Sequence, residues 1–479
     1  MNADLRTCCG AGAPFDRRQF LRRAWNGFGM LPVMHLLARA GDPHGGPHGD
    51  PHHGALVRHH APRIRSVIFL YLDGGPSQVD TFDYKPLLQR DHGKPFPMAM
   101  EPTQFNENGN TLGSPWAFRQ HGASGQWVSE LLPHLAGHAD RLCVVRSMVS
   151  DFSEHTNANY FLHTGHGQQG RPSMGAWVAY GLGSENEELP AFVVLNGGLI
   201  PPGGIDNFHS GFLPAQAQAS LLRMRGEPLA NVTPREAAGA QQRELELLRR
   251  LDQATLAATG GADPIAAAIQ NQELAFRMQS AVPELFDLRG ESAAMQRLYG
   301  LDSDYEPTRT YGRQCLLARR LVERGVRFVE LTCPDTGHDR WDQHSKLRAG
   351  LGDNCRMIDQ PAAALLTDLA ARGLLDETLV VCGGEFGRTP FAQGKDGRDH
   401  NPFGFTTWLC GGGTRGGLAH GSTDDYGYKT VAGAVTIHDL HATILHLFGI
   451  DHERFTYRFG GRDLRLTDVY GTVQTALLA

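Results

Sequence analysis

Residues 67–75 read VIFLYLDGG, six apolar or aromatic residues in succession and then Asp73, Gly74 and Gly75. A strand apolar at every position, rather than at alternate ones, is buried on both faces, and such strands belong to parallel sheets covered by helices above and below. The pattern recurs in RLCVVRS (141–147), AFVVLNGG (191–198), VRFVELT (326–332), TLVVCGG (378–384) and TTWLCGGG (406–413). Helical stretches alternate with these runs. GRQCLLARRLVERG (312–325) leads straight into one strand, residues 360–373 lead into another, and HDLHATILHLFGI (438–450) is a late amphipathic helix. The order predicts an α/β fold, a three-layer α/β/α sandwich around a mostly parallel central sheet.

Composition narrows the function classes. With 479 residues the chain is long enough for one large or two ordinary domains, and 41% hydrophobic residues make it globular. A formal net charge of −6 without a basic patch predicts no nucleic-acid partner. Eight cysteines are present and those from Cys143 onward show no CxxC spacing, so they read as buried thiols. Residues 233–305, beginning TPREAAGAQQRELELLRRLDQATLAA, read as a helical insertion.

The N-terminus reads as an address. DRRQFLRR (16–23), a short apolar stretch and Ala38-Arg39-Ala40 resemble a twin-arginine signal with a small-residue cleavage site, placing the chain in the periplasm or outside the cell. The divisions expected are a signal at 1–40, a Gly/Pro/His-rich linker at 41–62 and one domain at 63–475. No integral membrane segment is expected once the signal is removed. The histidines of the linker also suit adventitious metal binding.

In parallel sheets ligands bind at the carboxyl ends of the strands. Asp73 follows the first run. SDFSEHTNANYFLHTG (150–165) follows the second. CPDTGHDRWDQH (333–344) follows VRFVELT and carries Asp335, His338, Asp339, Asp342 and His344. EFGRTP follows TLVVCGG with Glu385 and Arg388, and GRDHNPFGF (397–405) carries Asp399 and His400. Each has a structural alternative: Asp73 as a turn residue, Asp342 as a helix cap, Glu385 as a salt-bridged loop residue, His400 as a turn residue. Their shared place on one edge favours a divalent metal site, with Zn, Mn, Mg or Fe suited to oxygen and imidazole ligands.

FLYLDGGPSQVDTFD, EHTNANYFLHTG, GRPSMGAWVAYGLG, WDQHSKL, GGEFGRTP, GRDHNPFGF and TIHDLHATILHLFGIDHERFTYRFGGRDLRLTDV together resemble the domain of unknown function 1501 family, an exported group, across roughly residues 64–472. That family is similar to the alkaline phosphatase and sulfatase superfamily. The resemblance implies an alkaline phosphatase-like domain hydrolysing phosphate or sulfate esters of small molecules, polysaccharide or lipid, with one or two divalent ions, Zn, Mn or Ca. It implies Asp73, Asp342, His344, Glu385 and His400 as metal ligands, with Asp335 and His338 a rival pair. Glu385 and Phe386 stand where the superfamily has an Asp-His pair. Where the superfamily has a Ser or Thr nucleophile at a helix start, this chain has His155 and Thr156: Thr156 is the hydroxyl for that role, and His155 is either a metal ligand or the acceptor of the transferred group. Arg388, and also Arg171, are the groups implied to hold the anionic ester. The CxPxR motif of formylglycine sulfatases is absent. The competing expectation is a non-catalytic metal- or ligand-binding protein on the same scaffold.

Overall fold

The run Val67–Leu72 is buried throughout because alternate side chains enter two different cores. In the computed structural model, which describes residues 58–479 apart from 103–104, 106, 231, 233–238 and 259–262, it forms β1 (Ser66–Tyr71). The expected signal and the linker as far as residue 57 lie outside the described residues. The elements that follow are β2 (Cys143–Val149), α1 (His155–Thr164), α2 (Met174–Leu182), β3 (Phe192–Asn196) and β4 (Ser220–Arg223). Next come α3 (Ala240–Ala258), α4 (Asp263–Phe286), α5 (Ala293–Leu298), α6 (Glu306–Glu323), β5 (Phe328–Thr332), α7 (Leu347–Ala371) and β6 (Thr378–Gly383). Further along are β7 (Gly387–Gln393), β8 (Gly397–Asn401), β9 (Phe405–Gly411), β10 (Ala419–His420), β11 (Val435–Thr436) and α8 (Ile437–Leu447), among shorter elements away from the central sheet.

Val67, Phe69 and Tyr71 face one helical layer, packing in a core with Phe161 of α1, Trp177 of α2 and Ile444 of α8. Ile68, Leu70 and Leu72 face the other, in a core with Leu316 of α6 and Leu365 of α7. Full burial of each such side chain contributes about 1.5–3 kcal/mol. The result is the expected three-layer arrangement.

The central sheet has nine strands in the order β10-β2-β9-β6-β1-β5-β3-β4, with β11 also paired to β2. β1 is parallel to β5 (Leu70 opposite Leu331) and to β6 (Tyr71 opposite Gly383), so Asp73 and Glu385, each two residues further on, leave the sheet side by side. β9 is the exception, antiparallel to both β2 and β6. Its reversal has a local cause. β7 and β8 form an antiparallel pair with Arg388 opposite His400, and this hairpin returns the chain at the same sheet edge, so no crossover helix intervenes.

The helix expected at 360–373 is the second half of α7, which starts at Leu347 and runs through Pro361. The helical insertion expected at 233–305 contains α3, α4 and α5. α3 buries no residue, whereas Met278, Val282 and Leu285 of α4 enter the core. The six described cysteines are free and buried. Among the described residues no helix is long and apolar enough to cross a membrane.

Candidate metal centre

The site begins at the helix that follows β2. Glu154 caps α1, its carboxylate accepting the Thr156 N–H at 2.9 Å and the Asn157 N–H at 3.1 Å. That cap starts the helix at His155 and sets its imidazole over the sheet edge. His155 Nδ1 lies 2.7 Å from Glu385 Oε1. Glu385 is fully buried just past β6, and Oε1 also accepts the Gly74 N–H at 2.9 Å. Gly74 is at φ +110°, and a Cβ there would meet the backbone nitrogens of Trp341 and Asp342 at 2.8 Å. The glycine after Asp73 therefore lets the loop beyond β5 pass close enough to deliver Asp342.

Four side chains converge. Asp342 Oδ2 is 3.0 Å from His155 Nε2, and Oδ1 is 2.8 Å from His344 Nε2 and 3.3 Å from His400 Nε2. His344 Nε2 and His400 Nε2 are 3.0 Å apart. One donor atom from each of His155, Asp342, His344 and His400 lies within 4.8 Å of the others.

The opposite ring nitrogens show what these atoms are for. His400 Nδ1 donates to the Ser153 carbonyl at 2.6 Å. His344 Nδ1 contacts Gln393 Oε1, and His155 Nδ1 contacts the Glu385 carboxylate. Each acceptor is an oxygen, so each Nδ1 carries a hydrogen, and the neutral form of each ring directs its Nε2 lone pair inward. Two such lone pairs 3.0 Å apart repel unless a cation lies between them. His155 Nε2 is buried and, although close to Asp342, has no aligned hydrogen bond. Imidazoles whose outer nitrogens are tied to oxygens around a shared carboxylate are the donor set and outer shell of a transition-metal site. The residues fit a divalent ion.

The charges agree. Burial alone would lower His155, but Asp342 and Glu385 outweigh it and push its pKa up to about 9. Burial would raise Asp342, yet the Arg388 guanidinium and the three imidazoles hold it far below the usual carboxylate range. His400 is lowered to about 4 by burial, with Arg388 and His155 adding to it against Asp342. Burial pushes Asp73 up to about 6 against the pull of Arg340, with Glu385 also raising it.

The candidates divide accordingly. Asp342, His344 and His400 come together, and His155 joins them as a fourth donor. Asp73 and Glu385 lie beside this group rather than in it: Glu385 orients His155, and Asp73 pairs with Arg340 through Oδ2 while Oδ1 has no hydrogen-bond partner among the described residues. Thr156 follows His155 in the first turn of α1, with its N–H in the helix cap. Arg388 is 1% exposed and directs its guanidinium at Asp342 and at the carbonyls of Gly74, Gly75 (3.0 Å) and Arg398 (3.2 Å), which leaves it positioning Asp342. The rival pair separates: His338 Nε2 is 2.8 Å from Asp353 of α7, and Asp335 accepts the Gly337 N–H in a turn. Arg171 sits elsewhere, over the Phe212 ring. The Phe386 ring walls the centre, 4.9 Å from the His155 ring and 4.6 Å from that of His400.

Sequence reasoning missed Arg340, Gln393 and the Ser153 carbonyl. Arg340 had a signal, as a cation inside an acidic and histidine-rich strand-end segment. Gln393 and Ser153 had none, because their roles depend on the β7–β8 hairpin and on the turn before α1.

Solved structures resembling this one include the PsFucS1 sulfatase from Pseudoalteromonas sp., at 14% identity and a TM-score of 0.37, covering 86% of this chain and 72% of that one. The lipoteichoic acid synthase LtaP from Listeria monocytogenes matches at 9% and 0.32, covering 84% and 75%. A protein in the alkaline phosphatase superfamily from Vibrio parahaemolyticus matches at 10% and 0.35, covering 82% and 68%. At such values these likenesses carry no functional argument. No curated protein matches the sequence. The model of a protein family of unknown function, DUF1501, matches residues 64–478, and the chain belongs to that family.

Proposed function

We propose that this chain is a metal-dependent hydrolase of phosphate or sulfate esters, exported by the twin-arginine route to act on a small molecule, polysaccharide or lipid. The observation that carries the reading is the convergence of three Nε2 atoms on Asp342, each ring fixed from behind by an oxygen. The donor set, three imidazoles and a carboxylate, suits Zn or Mn better than Ca, which takes oxygen ligands. A bound divalent ion would polarise an ester oxygen and lower the pKa of a water or hydroxyl. His155, His344, His400 and Asp342 would hold it. Glu385 and Gln393 keep the rings in register, Arg388 fixes Asp342 Oδ1, and Phe386 excludes water from one side. His155 has both ring nitrogens engaged, so the nucleophile is the Thr156 hydroxyl or a water.

The second reading, a non-catalytic metal-binding protein, is favoured by one observation: at the start of α1, at the position implied for the nucleophile, His155 is drawn into the donor group. The test is made on protein beginning at residue 41. Bound metal is measured, then turnover of aryl phosphate, phosphodiester and aryl sulfate panels, with Asp342→Ala alongside. Turnover lost in the variant supports the hydrolase. Metal without turnover on any panel favours the binding protein. Absence of metal after loading with Zn or Mn contradicts both.

A further inference from the structure

Two fully buried carboxylates, Asp73 and Glu385, leave adjacent parallel strands side by side at the edge of the donor group. Glu385 is held through Oε1, which accepts the Gly74 N–H at 2.9 Å and lies against His155 Nδ1, while Oε2 only shares that N–H at 3.2 Å. Asp73 Oδ2 contacts Arg340 Nη1, and Asp73 Oδ1 is buried with no hydrogen-bond partner among the described residues.

Arg340 is placed for this contact at a conformational cost. Its backbone is at φ +46°, in the left-handed region that non-glycine residues rarely adopt. The loop is tied down around it. The next residue, Trp341, donates its N–H to the Asp73 carbonyl at 3.1 Å, and the Arg340 carbonyl accepts from Gln343 Nε2 at 2.6 Å and from Asn354. At the far end of the side chain, Nη2 donates to the Ile200 carbonyl at 2.7 Å. The side chain is 23% exposed, so the guanidinium is not sealed away as that of Arg388 is.

We infer that Arg340 is the resident second cation of the centre, occupying the Asp73 carboxylate in place of a second divalent ion, so that the protein takes one ion per chain. This rests on the reading of His155, Asp342, His344 and His400 as a metal site. With Arg340 in place, the donors left for a second ion reduce to Asp73 Oδ1 and Glu385 Oε2, too few for a divalent cation, whereas removing the guanidinium frees Asp73 Oδ2 as a third. A guanidinium differs from an ion in two ways: it is permanently charged, and its planar fork binds paired oxygens. The partly exposed edge of Arg340 is therefore the fixed positive group available to an anionic ester, the part that Arg388 was expected to fill and is too engaged to play.

The test is metal stoichiometry on the folded chain, by elemental analysis and calorimetric titration with Zn and Mn, with the linker histidines His44, His48, His52 and His53 replaced by Ala in wild type and in every variant alike. Wild type is expected to bind one ion per chain, Arg340→Lys one, Arg340→Met two, and Arg340→Met with Asp73→Asn one again. Asp73→Asn in the wild-type background is expected to leave the count at one, which tests the inference even if Arg340→Met fails to fold. Two ions in wild type, one in folded Arg340→Met, or loss of the ion in Asp73→Asn overturns the inference while leaving the metal site standing. No ion in wild type overturns both.

Discussion

Glu385 touches the converging nitrogens only through His155, yet it is the acceptor that decides where the His155 proton sits. Removing an oriented acceptor behind a metal-binding imidazole typically costs 10- to 100-fold in metal affinity. Glu385→Ala, which removes that acceptor, is therefore expected to weaken Zn binding by about 10- to 100-fold in chains that circular dichroism shows to be folded, and Glu385→Gln, which keeps an acceptor oxygen, by less. Gly74→Ala tests the other positional requirement. Its Cβ would press on the Trp341 and Asp342 nitrogens at 2.8 Å from a backbone at φ +110°. It should destabilise the chain by about 1–3 kcal/mol in urea unfolding and weaken metal binding as Asp342 is displaced. At this scale the sequence was partly legible. Asp342, His344 and His400 announced themselves as polar residues just past apolar runs. The division between ligands and neighbours did not, because Asp73 and Glu385 share that signature and differ only in what packs against them.

Elements carry a second set of consequences. The insertion is helical as its composition required, but its helices are unequal. α3 buries nothing and exposes Leu247 and Leu251, whereas Leu285 of α4 is fully buried. Leu285→Ala should cost about 2–5 kcal/mol by denaturant unfolding, and Leu251→Ala less than about 0.5 kcal/mol. Between α1 and β5 lies a buried ion pair, His163 Nε2 to Glu330 Oε1 at 2.7 Å, with His163 Nδ1 on the Asn159 carbonyl at 2.7 Å. Both ring nitrogens face oxygen acceptors, so the charged ring is held. Burial opposes this, but Glu330 wins and the pKa is raised. A raised folded value means that the pair's stabilisation is complete below the ordinary histidine value of about 6.5 and fades as pH climbs through the higher folded value. Glu330→Leu should therefore cost about 3 kcal/mol near pH 6, with a smaller difference from wild type at alkaline pH, both read from urea midpoints. Six of the nine strands of the central sheet were legible from apolar runs, and the short strands β4, β10 and β11 were not. The reversed direction of β9 was not, since an apolar strand covered on both faces reads alike in either direction, and only the β7–β8 hairpin sets it.

Over the whole molecule, one edge of a mostly parallel sheet gathers donors from segments far apart in sequence: the start of α1, the loop after β5 and the β7–β8 hairpin. That gathering was foreseeable from the rule placing ligands at strand carboxyl ends. The cradle of oxygens behind each imidazole was not, because Ser153 and Gln393 reach their rings through tertiary contacts alone. The central claim is that His155, His344, His400 and Asp342 bind a divalent ion together. The most direct measurement is the metal retained after loading with Zn or Mn and desalting, on wild type and on Asp342→Ala. The account predicts tightly held metal in wild type and its loss in folded Asp342→Ala; wild type that retains none, or a variant that retains as much, would contradict it.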